Sequence, residues 1–346
     1  MRFIVYGAGG IGGVVGGRLA EHGHDVVLIA RGAHFQAIRD RGLRIESPDE
    51  AVTLRLPVFD RPDRITFTPA DIVLLAMKSQ DTLPALDALA AVAPPAVPIV
   101  CMQNGVANER IALRRFAYVY GVFVYCATAH LTPGVVQAWF APTTGILDIG
   151  RYPSGPDPAA ESPAPGSAST SRDDLAHTVA AAFRRSTFLS EPRADIMRWK
   201  YRKLLMNLAN AVEALCGSAA RGSAIVDQAR REGVECLNAA GIGFISDESD
   251  PSRREETLAL RPIDGKKRGG GSTWQSLARG ARNLETDYLN GEIVLLGRLH
   301  GIPTPANDML QQLSKEAVLK GQSPATLPLA ALTARLMGSD AFLRKA

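Results

Sequence analysis

Over the first third of the chain, short continuous apolar runs alternate with segments of helical period, the pattern of a parallel sheet with crossover helices. FIVY at 3–6 reads as a buried first strand, followed by a glycine-rich turn and a helix to about His22. DVVLIA at 25–30, DIVLLAMK at 71–78 and PIVCMQ at 98–103 read as three further strands. After Ala117 the spacing shortens. YVYGVFVYCATA at 118–129, VVQAWF at 135–140 and GILDIG at 145–150 are separated by brief turns, which predicts an antiparallel extension of the sheet. Residues 152–172 are rich in Pro, Ser, Ala and Gly with almost nothing to bury, and read as a disordered surface insertion. A helix over about 173–186 and a short TFLSE strand complete this half.

From Ile196 the period turns helical, with long helices predicted at 196–216, 223–240, 273–300 and 306–319. The charged stretch 246–271 between two of them ends in three glycines and reads as a mobile loop. The expected fold is therefore α/β, with an N-terminal Rossmann-type dinucleotide-binding domain over 1–190 and a C-terminal all-α domain over 191–346.

Composition changes this picture little. A length of 346 residues suits two domains, and 46% hydrophobic with 21% charged residues is ordinary for a globular protein. No run approaches the ~18 apolar residues of a membrane span, and glycines interrupt the apolar start almost at once, so a cytoplasmic location is expected. The net charge of +4 is mild and comes without a basic-aromatic cluster, which excludes a nucleic-acid partner from the expectation. Cys101, Cys126, Cys216 and Cys236 contain no CxxC pair and read as reduced thiols; the six histidines lack metal-ligand spacing, so no metal is expected. Neither a heptad nor a clear apolar patch fixes the oligomeric state, although the helical half leaves room for a homodimer.

The chemistry begins at Gly7-Ala8-Gly9-Gly10-Ile11-Gly12, a GxGxxG sequence placed directly after a strand and opening a helix. Gly7 permits the tight turn, Gly9 lets backbone approach a pyrophosphate, and Gly12 lets helix and strand pack closely. The helix N-terminus then offers N–H groups and positive dipole to phosphates. The second strand ends Leu28-Ile29-Ala30-Arg31, without the acid that would hold a ribose 2′-hydroxyl. A guanidinium there can pair with a 2′-phosphate, which favours NADP over NAD.

In the second half, Trp199, Lys203, Asn207 and Asn210 recur at spacings that share one helical face. One amine and two amides among apolar neighbours suit a pocket: the amine can protonate a carbonyl oxygen while the amides hold a polar substrate. Ser272 follows three glycines, where it can cap a helix and also bind a carboxylate at the helix start.

Together these pieces resemble the ketopantoate (2-dehydropantoate) reductase family over nearly the whole chain. The resemblance is carried by GAGGIG at 7–12, Arg31, MKSQ at 77–80, QNGV at 103–106, PGVV at 133–136, KLLMN at 203–207 and Glu285 in its E-x-D-Y-x-N-G run. It implies that Lys78 and Gln80 lie beside the cofactor, with Asn104 between nicotinamide and substrate. It likewise implies that Lys203 is the catalytic lysine, Glu285 its acidic partner, and Asn207 and Ser272 substrate binders. Two departures touch the substrate pocket. Ala211 stands where the family commonly has a second asparagine, with Asn210 one step earlier, and the stretch between Gln275 and Glu285 is one residue longer than usual.

The implied reaction is NADPH-dependent reduction of a 2-oxo acid, with Lys203 giving a proton to the developing alkoxide and Lys200 next in line as donor. Three alternatives stay open: a reductase of the same mechanism for another oxo acid, a non-catalytic NADP-binding sensor, and an amine-forming opine-type dehydrogenase.

Overall fold

The first strand, Arg2–Tyr6, lies near the centre of an eight-stranded sheet in the computed structural model, which describes residues 1–154, 173–246 and 257–343. Its neighbours are Asp25–Ile29 on one side and Asp71–Leu75 on the other, both parallel to it. Ile99–Cys101 and Val119–Tyr125 continue the parallel run, and Val58–Phe59 closes the opposite edge. Gly145–Tyr152 then adds antiparallel, and Phe188–Leu189 completes the sheet. The central strands are apolar throughout because both faces are covered. Phe3 and Val5 enter one apolar cluster while Ile4 enters another on the opposite face. The chain leaves the first strand towards one side and later returns on the other. This switch point opens a crevice at the strands' carboxyl ends, where ligands bind in such sheets.

Only part of the expected antiparallel extension joins this sheet. Thr128–Ala129 and Val135–Ala138 turn away to form a second, four-stranded sheet with Leu43–Glu46 and Ala51–Leu54. The helix Gly10–Glu21 runs between the two sheets, and its glycines explain how. A Cβ on Gly16 would lie 3.0 Å from Val5 and from Leu28 of the main sheet. A Cβ on Gly13 or Gly17 would reach Val136 at 2.7 Å or Ile45 at 2.3 Å in the small one. Glycine in a helix interior costs about 0.5–1 kcal/mol relative to alanine, which close packing on two sides offsets.

The helical half has its own apolar core, contributed by Ile196–Asn207, Ala209–Cys216, Ala224–Ala239, Asn290–His300, Pro305–Leu319 and Leu329–Leu343. Three sequence expectations need correction here. The helix expected over 196–216 is interrupted at Leu208, whose carbonyl accepts a hydrogen bond from Asn290 Nδ2 at 3.3 Å. The expected 273–300 helix is three pieces, Ser272–Ala278, a 3-10 turn Glu285–Tyr288 and Asn290–His300, with left-handed Gly280 just beyond the first. The helix Leu329–Leu343 was not expected.

Of the loop expected over 246–271, residues 247–256 lie outside the described residues. The remainder is mostly exposed but anchored: Ala259–Leu260 pairs with Phe140–Ala141, and Ile263 is buried. The insertion expected over 152–172 lies outside the described residues from 155 onward.

Helix Ile196–Asn207 seats on the main sheet, with Ile196 against Phe123 and Ile146. This position corrects the standing of Lys200. Its Nζ lies 2.5 Å from the Glu109 carboxylate and donates to the Gln103 carbonyl at 3.0 Å, with both charged side chains almost fully buried. Lys200 is thus committed to a structural ion pair and is not a second donor to the crevice. Trp199 also leaves the face it was expected to share. It packs edge-on against Phe123 and under the Arg193 guanidinium. No helix among the described residues is long and apolar enough to cross a membrane.

Candidate active site

A cavity of about 780 Å³ opens at the switch point and continues between the sheet and the helical half. From the nucleotide side it is lined by Gly7, Ala8, Gly9, Gly10, Ile11, Arg31, Lys78 and Asn104. From the helical side Lys203, Asn207, Asn210, Ser272 and Glu285 face the same space. Two residues of the sequence-derived set stay out of the lining. Gly12 is internal, where a Cβ would lie 2.2 Å from the Gly7 carbonyl oxygen. Gln80 donates instead to Asn283 Oδ1 at 3.2 Å.

The glycine turn fits a dinucleotide. Gly7 has φ +103°, and a Cβ there would strike the Met77 backbone at 2.6 Å. Gly9, at the N-cap of the twelve-residue helix, opens on the cavity, and no side chain caps that helix end. Its free N–H groups are therefore available to phosphate oxygens. His34 fixes this loop from outside. The Gly134 N–H donates to His34 Nδ1 at 2.9 Å, so the ring proton sits on Nε2, which donates to the Ala8 carbonyl at 2.7 Å. The loop is thereby tied to the PGVV hairpin, and burial holds the His34 pKa below the usual histidine range. His130 packs on His34 with ring centroids 4.0 Å apart, and burial foremost pushes its pKa down to about 4.

Arg31 stands at the end of the second strand with its side chain 70% exposed, 3.5 Å from the Asp81 carboxylate. An ion pair that open is worth roughly 0–1 kcal/mol, so a phosphate can displace it.

Across the cleft, the buried Glu285 carboxylate takes an ion pair from Lys78 Nζ at 3.0 Å. Its other oxygen accepts from the Ser79 hydroxyl at 3.0 Å and the Ser79 N–H at 3.2 Å. Lys78 also donates to the Ser272 hydroxyl. The acid that the family resemblance pairs with Lys203 is thus engaged by Lys78 and Ser79, because the 3-10 turn carrying Glu285 packs on the turn Ser79–Asp81. Lys203 itself sits with Nζ 4.6 Å from the centre of the Tyr125 ring, a cation–π contact between two residues that line the cavity. Asn207 is buried, and its Nδ2 has no hydrogen-bond partner. Asn210 is already engaged, accepting from Arg221 at 3.2 Å.

Sequence reasoning missed several of these groups. Ser79 stood inside a quoted motif without a role, yet it joins Glu285 to Asn104 and to the buried Asn108. Asn290 stood inside another, and it clamps the break at Leu208 that separates the Lys203–Asn207 helix from Asn210. Arg268 lay hidden in a basic run taken for solvated loop, and Arg279 in the lengthened stretch; both line the cavity. No spacing rule could have placed His34 beside His130, which are 96 positions apart in sequence.

The comparisons with known proteins agree with this architecture. The family model for ketopantoate reductase PanE/ApbA matches residues 3–154, and the model for its C-terminal region matches 195–318. A 2-dehydropantoate 2-reductase of Pyrococcus horikoshii is 29% identical over 325 residues, covering 91% of this chain and 97% of that protein. The crystal structure of a PanE/ApbA family ketopantoate reductase from Ralstonia eutropha JMP134 is 30% identical, with a TM-score of 0.72, covering 93% of this chain and 99% of its own. The ternary structure of D-mandelate dehydrogenase with NADH and anilino(oxo)acetate shares the fold, with a TM-score of 0.74 at 19% identity and coverage of 93% and 99%. With both family models matched in order, and the glycine turn facing the Lys203–Asn207 helix across one cavity, the chain belongs to the ketopantoate reductase (PanE/ApbA) family.

Proposed function

We propose that this protein reduces a 2-oxo acid to the 2-hydroxy acid with NADPH, and that 2-dehydropantoate is its substrate. The observation that carries the reading is the placement of Lys203 and the unpartnered Asn207 Nδ2 on the wall opposite the glycine turn. A reduced nicotinamide dinucleotide bound there would supply the hydride for the substrate's carbonyl carbon.

The protein's own groups do the rest. The Gly9 region and the free end of helix Gly10–Glu21 take the pyrophosphate, and Arg31 takes the 2′-phosphate. Lys203 donates a hydrogen bond to the carbonyl oxygen and passes a proton to it as the alkoxide develops, so general-acid and electrostatic roles merge. Asn207 Nδ2 holds a substrate oxygen, which satisfies an amide that otherwise lacks a partner. Ser272 accepts from Lys78, and its own O–H remains to be given. Glu285 keeps Lys78 in place and fastens the helical half to the nucleotide half. Its contribution to Lys203 is indirect, through the position of that half.

Replacing Lys203 with Ala should lower turnover about 10²–10⁴-fold while leaving NADPH affinity within about twofold. Turnover equal to the unaltered enzyme's would remove Lys203 from the mechanism. A second reading, the same chemistry on another 2-oxo acid, is favoured by Ala211 in place of an amide and by the engagement of Asn210 with Arg221.

A further inference from the structure

Arg268 enters the cavity from the segment that follows strand Ala259–Leu260. Its Nη2 donates to the Thr128 carbonyl at 3.2 Å, while its Nε is buried without a partner. No carboxylate among the described residues lies within ion-pair distance of it. Glu213, the acid whose charge it feels, has both oxygens occupied: Arg221 donates to one at 2.6 Å and the Gly271 N–H to the other at 3.0 Å. Desolvation accordingly pulls the Arg268 pKa below the usual arginine range. A buried cation without a counter-charge is costly, and a guanidinium is the side chain whose fork matches a carboxylate.

The surroundings say which carboxylate. Arg268, Tyr125 and Lys203 line the same cavity, and Lys203 Nζ lies over the Tyr125 ring. Amine and guanidinium thus share one cavity, in which a 2-oxo acid can present its carbonyl to Lys203 and its carboxylate to Arg268. The Tyr125 ring stacks on Phe140 with centroids 5.8 Å apart, and Leu260, opposite Phe140 in the strand pair, joins the same cavity wall. Ser272 cannot replace the guanidinium, since the helix it begins is seven residues long and the N–H just before it is spent on Glu213.

We propose that Arg268 anchors the substrate carboxylate, and that the segment 259–268 selects monocarboxylic 2-oxo acids. The proposal rests on the reductase reading for the orientation of the bound acid. Arg221 is neutralised by Glu213, and a second carboxylate on the substituent would meet the apolar Phe140–Leu260 pair beside Tyr125.

The test reads recognition apart from turnover. NADP⁺-loaded protein is titrated calorimetrically with a branched 2-hydroxy acid, with its carboxamide and with a 2-hydroxy dicarboxylate. The expected result is an acid-over-amide preference on the order of 10²-fold that collapses to within a few-fold in Arg268→Ala, with NADP⁺ affinity unchanged. Arg268→Lys should keep part of the preference, since it restores charge without the fork. An undiminished preference in Arg268→Ala, or none in the unaltered protein, overturns the anchor. Binding of the dicarboxylate as tight as that of the monocarboxylate overturns the substrate class. NADPH oxidation with the matching 2-oxo acids, measured separately, judges the reductase reading, so the two can fail independently.

Discussion

Two cations of the cavity have opposite attachments, and this decides their uses. Lys78 is engaged by Glu285 and Ser272, groups of the other half, so it ties the two halves together. Arg31 is held only by an exposed contact with Asp81, so it is available to a ligand. If it binds the 2′-phosphate, Arg31→Ala should raise the KM for NADPH about 10–100-fold and leave the KM for NADH nearly unchanged, as steady-state kinetics with both cofactors would read. Equal effects on both cofactors would reassign Arg31 to another part of the nucleotide. At this scale the sequence was informative where spacing is local. Lys203 and Asn207 share a helical face and, with Asn210 beyond the break at Leu208, do line the cavity, but Trp199, one turn earlier, leaves it for Arg193 and Phe123. The partners of Glu285 depend on contacts across more than 200 residues, which no helical period encodes.

Among the elements, helix Gly10–Glu21 carries the most constraint. Gly12 and Gly16 face the main sheet and Gly13 and Gly17 the small sheet, so one short helix fixes the distance between both sheets and presents its N-terminus to the cavity. A methyl at Gly12 would run into the Gly7 carbonyl at 2.2 Å and Ala76 at 2.9 Å, backbone and strand end that cannot easily yield. Gly12→Ala should therefore cost about 1–3 kcal/mol of stability and weaken NADPH binding at least tenfold, measured by denaturation and by fluorescence titration. Unchanged affinity in a folded variant would show that the turn tolerates displacement.

The central strands of the main sheet were legible as apolar runs long enough to be buried on both faces, whereas the two-residue edge strand Val58–Phe59 was not. The small sheet was not: its strands are two to four residues long, and their partners are set by the helix between the sheets. The break at Leu208 was hidden for a related reason, since the Asn290 that clamps it comes 82 positions later.

For the whole molecule, the cavity between the halves ties ligand binding and pH to folding. His130 is pushed down to about 4 by burial, with His34 adding to it, so the folded state prefers the neutral ring. The unfolded chain takes up its proton near pH 6.5, whereas the folded protein does so only near 4. Stability is thus fully present above about pH 6.5 and falls as pH drops towards 4. His130→Gln should flatten part of that slope in denaturation curves taken between these limits, and an unchanged slope would place the sensitivity elsewhere. The division into a sheet-based half and a helical half was visible in the change of period near Ile196. The cavity joining them was visible only as two separate sets of polar residues, because its shape depends on how the halves meet.

The disappearance of NADPH on addition of 2-dehydropantoate, followed beside a panel of other 2-oxo acids and an NADH control, tests the proposed reaction itself. Rapid oxidation of NADPH with 2-dehydropantoate is expected, with formation of the 2-hydroxy acid in equal amount and much slower oxidation of NADH. No oxidation with any 2-oxo acid, by a protein that binds NADPH tightly, would contradict it.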